Sequence, residues 1–242
     1  MFFGSPFATA LTPEHPFIAF FGVLNLAFFI GIPILSLALL ARRLVSSTKY
    51  NVQWKRSLTV LWVLNIVSLF GIGSYIASQF SVSKTINITS EELPNTEDVW
   101  TLKAAENPYE DAWLSFGNMD IAGNVIASRA IKIHIEKSKN DLFQIAVDKR
   151  SRGKDLDAAT ASAKQIQYGL TFEDNEITFD PYFALKEGEK WRNQSIIIRL
   201  LVPEGKSVQF KDLPWDIRHN IRSEYNMQNG EVWTMTESRF EQ

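Results

Sequence analysis

Two long stretches without a charged residue, 17–41 and 57–83, constrain the fold of this chain more than any other feature. A helix that crosses the hydrocarbon core of a bilayer, about 30 Å thick, needs roughly 20 apolar residues, and both stretches are longer than that. The sequence therefore predicts an α-helical transmembrane hairpin of two helices over residues 17–83.

The segment between the two stretches contains five basic residues and no acid: Arg42, Arg43, Lys49, Lys55 and Arg56. Lysine and arginine in short loops stay on the cytoplasmic side, and near anionic headgroups each cation is worth about 1 kcal/mol. We therefore expect loop 42–57 to be cytoplasmic and to contact lipid headgroups. The chain is then a multi-pass protein of the inner (cytoplasmic) membrane. Segment 1–16 lies at the outer interface, and the C-terminal domain is extracytoplasmic.

Each predicted helix contains one asparagine, Asn25 and Asn65. If Arg42 and Arg56 are level, a rise of 1.5 Å per residue places Asn25 about 12 Å further from the loop than Asn65. The two amides are therefore not expected to bind each other. Their partners would be helices of another membrane protein, a second copy of this chain, or backbone carbonyls of their own helix.

Small residues lie at matching levels on the two helices instead. Ala27 and Gly31 fall at about the same depth as Ser68 and Gly71 by the same rise per residue. Because small side chains let helix backbones approach closely, these four residues are predicted to form the contact within the hairpin.

The rest of the chain, 84–242, has 20 basic and 26 acidic residues, a net charge of −6. This balance disfavours a nucleic acid partner, which requires a net basic face. The chain has no cysteine, which excludes disulfides, thiol catalysis and thiolate metal sites. At about 160 residues, this part is long enough to bury a core of its own.

Residues 84–107 are acidic, contain proline and lack clear periodicity, which predicts a linker. Within 108–242, apolar residues alternate in short runs, so an all-β domain is expected. The runs are Ile131–Ile133–Ile135, Phe143–Ile145–Val147, Ile166–Tyr168–Leu170, Ile177–Phe179, Ile196–Ile198–Leu200, and a last strand at 232–235. Turns are predicted at 117–118, 174–175, 186–189 and 203–206, and the alanine-rich run 155–166 predicts one short helix.

Residues with catalytic chemistry are scattered in this sequence. His15, His134 and His219 have no partner at metal-ligand spacing, and the acidic turn 173–176 lacks the glycine and spacing of a calcium loop. Nucleotide-binding and nucleophile motifs are not found. We therefore expect a protein that is not an enzyme, with no cofactor and no metal.

The best candidate for a recognition surface is Lys190–Trp191–Arg192, because tryptophan and arginine are common at binding hot spots and stack on planar or glycan ligands. The alternative is that Trp191 packs on the core while its neighbours pair with acids. Core packing is also favoured for Phe179, Tyr182 and Phe183 around the Asp180–Pro181 turn. The outer ligand is not identifiable from these residues.

Several segments resemble the C-terminal half of long phage-shock-protein-C-like (PspC domain-containing) bacterial membrane proteins. They are 165–172, ITFDPYFAL at 177–185, KWRNQS at 190–195, LVPEGKSV at 201–208, VWTMT at 232–236, and in the helices His15–Pro16, 31–33 and Leu61–Trp62. The naming N-terminal PspC module of that family is absent from this sequence. The resemblance implies membrane-stress signalling and an outer domain built as a β-solenoid. The strand spacing by itself leaves a β-sandwich open.

Two functional hypotheses follow. The first is a regulatory or envelope-stress membrane protein that couples an extracytoplasmic β-domain to a membrane-protein partner or a homo-oligomer. The second is a membrane-anchored binding or adhesin-like module, in which the hairpin is only a tether.

Overall fold

The structure, a computed structural model, describes residues 16–45, 52–93, 98–109, 112, 114–123, 125–186, 188–214, 217, 221–222, 230–237 and 240–241. These residues form two compact units that divide between Gln79 and Phe80. The first unit contains two long helices, and the second contains the strands. The predicted interfacial segment 1–16 lies almost wholly outside the described residues.

The helical unit consists of α1 (Pro16–Val45) and α2 (Val52–Ser78). Each contains a 23-residue span, Phe20–Arg42 and Arg56–Ser78, that is long and apolar enough to cross a membrane. The helices are longer than expected, because Arg42 and Arg43 belong to α1 and Lys55 and Arg56 to α2. The predicted loop 42–57 is therefore too long: 46–51, which includes Lys49, is the part outside the described residues. Cations in the last turn of α1 are stabilised by the helix dipole, which explains why that helix continues past the arginines.

In the residues that the structure describes, the second unit is a mostly-β domain with one complete helix. Its strands are β1 (Val82–Glu92), β2 (Val99–Ala104), β3 (Leu114–Phe116), β4 (Met119–Ala122), β5 (Val125–Ser128), β6 (Ile131–Lys137), β7 (Gln144–Gly153), β8 (Leu170–Glu173), β9 (Glu176–Phe179), β10 (Phe183–Leu185), β11 (Ser195–Val202), β12 (Ser207–Lys211), β13 (Ile221–Arg222), β14 (Val232–Met235) and β15 (Phe240–Glu241). The helix, α3, spans Leu156–Lys164.

The strands form three sheets. Their orders are β1-β7-β11-β6-β13, β10-β5-β4-β3 and β15-β14-β12-β2-β9-β8. Four pairings are parallel, namely β6 with β11 and β13, and β2 with β9 and β12. Parallel stacking of strands that are distant in sequence is what a solenoid-like body predicts, whereas the antiparallel pairings depart from a regular repeat.

The core lies where the sheets face one another, and it follows from period-two patterning. In β11, every second residue is fully buried: Ile196, Ile198, Leu200 and Val202. The side chains of Phe143, Phe179, Phe183 and Phe210 are among the largest buried in the domain. Alternation of this kind turns one face of each strand inward, so the β-domain has a hydrophobic core of its own.

The predicted linker 84–107 is wrong, because the segment contains most of β1 and all of β2. β1 pairs with β7 along nearly its whole length. In β2 the inward residues Trp100, Leu102 and Ala104 alternate with exposed or half-exposed ones. The acids and Pro94 made the segment look like a linker. In addition, β1 buries little of its own side-chain surface, because it is held mainly by its backbone ladder.

Most of the other predicted elements are confirmed. The runs at 131–135, 143–147, 177–179, 196–200 and 232–235 correspond to β6, β7, β9, β11 and β14. Helix α3 is capped by Asp155, whose carboxylate accepts a hydrogen bond from the Ala158 N–H at 2.7 Å. The run Ile166–Tyr168–Leu170 is not a strand throughout, since β8 begins only at Leu170 and Gln167 forms an isolated bridge with Ala184.

Candidate functional site

The two asparagines of the helices bind each other. Asn65 Nδ2 donates a hydrogen bond to Asn25 Oδ1 at 2.8 Å, and Asn25 Nδ2 donates to the Phe21 carbonyl at 2.7 Å. Asn65 is buried, with 7% of its surface exposed. The prediction that these amides do not bind each other is therefore wrong, whereas the alternative of a backbone carbonyl partner is confirmed for Asn25.

The depth calculation failed because it treated Arg42 and Arg56 as level. The rings of Phe29 and Trp62 stack with centroids 6.0 Å apart, and Trp62 Nε1 donates to the Phe29 carbonyl at 3.4 Å. This register slides α1 along α2 by about 10–12 Å relative to the assumed alignment, which brings the asparagines to the same level.

The predicted contact of small residues within the hairpin is also wrong. Gly31 and Gly71 are exposed, and a Cβ built at either would meet nothing within 4 Å. Ala27 and Ser68 are likewise exposed. The helices approach along larger side chains, and Ile32 is buried there. The small residues therefore lie on the outward faces of the hairpin.

The predicted recognition tripeptide is part of a cluster at the start of the β-domain. The Trp191 ring is half-buried against the core, with its centroid 6.0 Å from that of Phe80. The Arg192 guanidinium carbon lies 5.4 Å from the Phe80 ring centroid, within range of a cation–π interaction. We call Phe80, Trp191 and Arg192 the junction cluster, because Phe80 follows the last residue of α2 by two positions.

Gln194 fixes the backbone of this cluster. Its buried amide donates to the Lys190 carbonyl at 2.9 Å and to Ser162 Oγ at 3.1 Å, and it accepts from the Arg192 N–H at 2.7 Å. The core-packing alternative accounts for Trp191, and a recognition role for Lys190, Trp191 and Arg192 stays a prediction. One feature of the sequence could have indicated Phe80 as a contact residue: it is the only aromatic residue between α2 and β1.

A second candidate site is a pocket of about 600 Å³ in the β-domain. We call it the tyrosine pocket, because Tyr109, Tyr168 and Tyr182 line it together with Glu106, Lys149 and Asp180. Tyr109 and Tyr182 pack edge to face with centroids 5.7 Å apart. Asn107 supports them: its amide donates to Tyr182 Oη at 3.2 Å, and its oxygen accepts from the Tyr109 N–H at 2.8 Å.

The Asp180 carboxylate in this pocket is held by a backbone hydrogen bond. Asp180 Oδ2 accepts a hydrogen bond from the Gly169 N–H at 2.9 Å, and the Asp180 N–H donates to the Gly169 carbonyl at 3.2 Å. A Cβ at residue 169 would collide with the Asp180 carboxylate, so the close approach requires glycine.

Two groups in the pocket have shifted pKa values. Burial raises the pKa of the Tyr168 phenol well above its ordinary value of about 10, and the negative charge of Asp180 raises it further. Burial lowers the pKa of the Lys149 ammonium, which donates to the Ile166 carbonyl at 2.7 Å. The Tyr168 hydroxyl is enclosed and has no hydrogen-bond partner among the described residues.

Sequence reasoning missed the tyrosine pocket because its residues come from four separated segments. Core packing is confirmed for Phe179 and Phe183, which are buried, whereas Tyr182 lines the pocket. Glu106 lies in the predicted linker, and Tyr109 follows it. His134 lies half-buried in β6, while His15 and His219 lie outside the described residues. The part of the chain that the structure describes contains no group of three histidine or acidic side chains arranged to hold a metal.

Two long apolar helices followed by a mostly-β domain define the class of this protein. Residues 119–241 match the model of the ToastRack domain found in some PspC proteins, described as the C-terminal ToastRack of PspC. The chain therefore belongs to the PspC-associated ToastRack family, which confirms the resemblance drawn from the sequence. This family points to a membrane-associated protein of the stress-response type. No curated protein and no solved structure matches the chain.

Proposed function

We propose that this chain is a non-enzymatic regulatory protein of the bacterial inner membrane, in which the state of an extracytoplasmic β-domain acts on the transmembrane hairpin. One observation carries the proposal: α2 ends at Ser78 and β1 begins at Val82, so only the three residues 79–81 lie between them. Of these three residues, Phe80 packs against Trp191 and Arg192 in the junction cluster.

A short, packed junction favours coupling over simple tethering. A flexible linker of many residues lets a domain sample orientations freely, so a change in that domain does not reach its anchor. Here β1 continues from the junction as the edge strand of a five-stranded sheet, where it is held by its ladder with β7. A rearrangement that moves β7, or the core beneath it, therefore displaces the residues that follow α2.

Regulation across a membrane also requires a partner for the hairpin. The Asn65 amide donates to Asn25 inside the hairpin, and Asn65 Oδ1 is buried without a partner among the described residues. A partner helix or a second copy would therefore contact the outward faces, where Ala27 and Gly71 are exposed. Small residues on such faces permit close helix approach. The partner contact is therefore expected at these positions and not at the asparagines.

Photo-crosslinking in intact membranes tests this assignment. A photoreactive residue at Gly71 or Ala27 is expected to give one discrete product with another membrane protein or with a second copy of the chain. Ile72 is the matched control, since its Cγ2 is 3.9 Å from a Cβ built at Gly22 of α1 and its product should be intrachain. Lipid adducts alone from the two outward positions would contradict the regulatory proposal.

The proposed orientation of the chain in the membrane is tested by protease accessibility. Protease added to intact spheroplasts is expected to digest the β-domain and to leave the hairpin protected. Protection of the β-domain until the membrane is disrupted would overturn the proposed topology.

The second candidate function is an anchored binding module with a solenoid-like body, and the tyrosine pocket favours it. Inserting about ten glycine and serine residues between Gln79 and Phe80 separates the two functions, because such a linker uncouples the units without altering the pocket. Loss of the stress response on insertion supports regulation. An unchanged response would mean that the hairpin is only a tether.

A further inference from the structure

The tyrosine pocket is of a size and composition that suit a small ligand. Ligand sites typically enclose about 300–1,000 Å³, and this cavity has about 600 Å³. It is built from the segment after β2, from residues 167–169, and from the turn between β9 and β10, with Lys149 of β7. Each of these segments is held by hydrogen bonds, so the pocket is formed in advance of binding.

The charge of the pocket disfavours anionic ligands. Glu106 and Asp180 contribute two carboxylates, whereas Lys149 is the one cation among the described lining residues. The Lys149 ammonium is already engaged by the Ile166 carbonyl at 2.7 Å, and burial disfavours its charge. A phosphate or carboxylate ligand would therefore meet two carboxylates, whose repulsion the single partly engaged cation only partly offsets.

The polar walls disfavour a purely apolar ligand as well. Three phenols, two carboxylates and the Gln167 amide surround the cavity, and one oxygen of Asp180 has no partner among the described residues. The Tyr168 hydroxyl is a buried donor without an acceptor in that part of the chain. This oxygen is enclosed, so Tyr168 contributes its ring to the pocket wall, and the open acceptor is the second Asp180 oxygen.

Aromatic rings next to acceptors for hydroxyl groups match one ligand chemistry. A pyranose presents apolar C–H faces that pack on aromatic rings and hydroxyls that donate to carboxylates. We propose that the tyrosine pocket binds a neutral saccharide, with Tyr109 and Tyr182 against the sugar ring and Asp180 accepting from its hydroxyls. This proposal goes beyond the regulatory function, and it stands or falls independently of the crosslinking result.

The test uses the full chain in phospholipid nanodiscs prepared without glycoside detergents, which would compete for the pocket. Maltotriose, cellotriose and N-acetylated chitotriose are titrated and followed by saturation-transfer difference NMR and calorimetry. Trigalacturonic acid is the anionic counterpart. At least one neutral trisaccharide should bind, and the anionic one should bind at least about tenfold more weakly, a difference of 1.4 kcal/mol.

Three variants locate the site. Asp180→Asn keeps an acceptor for the Gly169 N–H, Gly169→Ala displaces the carboxylate, and Tyr182→Leu removes a ring. Each should weaken saccharide binding about tenfold, the loss expected for one good contact. Asp157→Asn on the exposed surface of α3 and Phe172→Leu in β8 are the matched controls and should leave affinity unchanged.

Sedimentation with purified cell-wall polysaccharide distinguishes a polymeric glycan from a free sugar, and binding of either supports the proposal. Failure of every neutral saccharide at millimolar concentration would overturn it. Equal affinity for trigalacturonic acid, binding only of a polyamine such as spermidine, or unchanged affinity in all three pocket variants would overturn it too. Circular dichroism of each variant confirms that the domain is folded, so a loss of binding is assigned to the pocket.

Discussion

The effect of replacing Phe80 with alanine on the free energy of unfolding tests the junction cluster most directly. The ring is half-buried, packs at 6.0 Å against Trp191, and lies under the Arg192 guanidinium at 5.4 Å. An aromatic pair is worth about 1 kcal/mol beyond burial, and a partly exposed cation–π contact about 0.5 kcal/mol. The lost burial of the ring adds about 0.5 kcal/mol. Phe80→Ala should therefore lower the free energy of unfolding of the β-domain by about 2 kcal/mol.

The assay is urea unfolding of the full chain in detergent micelles, followed by circular dichroism at the β-sheet band. With a urea m-value of about 2 kcal/mol/M, a loss of 2 kcal/mol shifts the midpoint down by about 1 M. Phe80→Leu is the matched control: it keeps the apolar burial, loses only the ring contributions of about 1.5 kcal/mol, and should shift the midpoint about three quarters as far. A shift below about 0.2 M for Phe80→Ala would refute the reasoning, and so would equal losses for the two variants.

Three further predictions concern the β-domain. Asp148 is buried and accepts hydrogen bonds from Arg199 Nε at 2.8 Å and from Asn87 Nδ2 at 2.9 Å. Because Arg199 is partly exposed, Asp148→Ala should lower the free energy of unfolding in urea by about 2 kcal/mol. A loss below about 0.5 kcal/mol would contradict this. Gly153→Ala places a Cβ against the backbone of Ala159 in α3, so it should destabilise the domain by about 1–3 kcal/mol. A variant as stable as wild type would show that α3 can move away from β7. For Tyr168 the folded-state pKa is raised, so its contribution to stability is present below pH 10 and is lost as pH rises further, by about 1 kcal/mol per pH unit. The stability of Tyr168→Phe relative to wild type should therefore be constant below about pH 10 and increase above it, whereas a flat difference up to pH 11 would contradict the burial of this phenol.

Elements governed by local patterning were predictable from the sequence. β6 and β11 alternate cleanly between inward and outward residues, and Asp155 followed by an alanine-rich run specifies the start of α3. The two apolar helices followed from length and composition. In each case the signal lies within about ten consecutive residues, which is the range over which side-chain periodicity acts.

Features that depend on long-range pairing were not predictable. β1 is held mainly by its ladder with β7, so its own side chains show little of the pattern of a buried strand. The Asn25–Asn65 contact depends on how the helices slide along each other, which a calculation from level helix ends does not capture. The tyrosine pocket and the junction cluster assemble from segments that the fold brings together, and neither has a contiguous motif.

Hydrogen–deuterium exchange across residues 79–92, measured on the full chain in nanodiscs, tests the central claim that α2 passes into the β-domain through an ordered junction. The Gln79 amide is bonded to the Ile76 carbonyl at 3.1 Å, and residues 82–92 pair with β7. The account predicts slow exchange for the bonded amides of 79–92, and faster exchange at 79–84 in Phe80→Ala as the junction loosens. Complete exchange of this segment within seconds in the wild-type protein would show a flexible linker and would contradict the coupling of the β-domain to the hairpin.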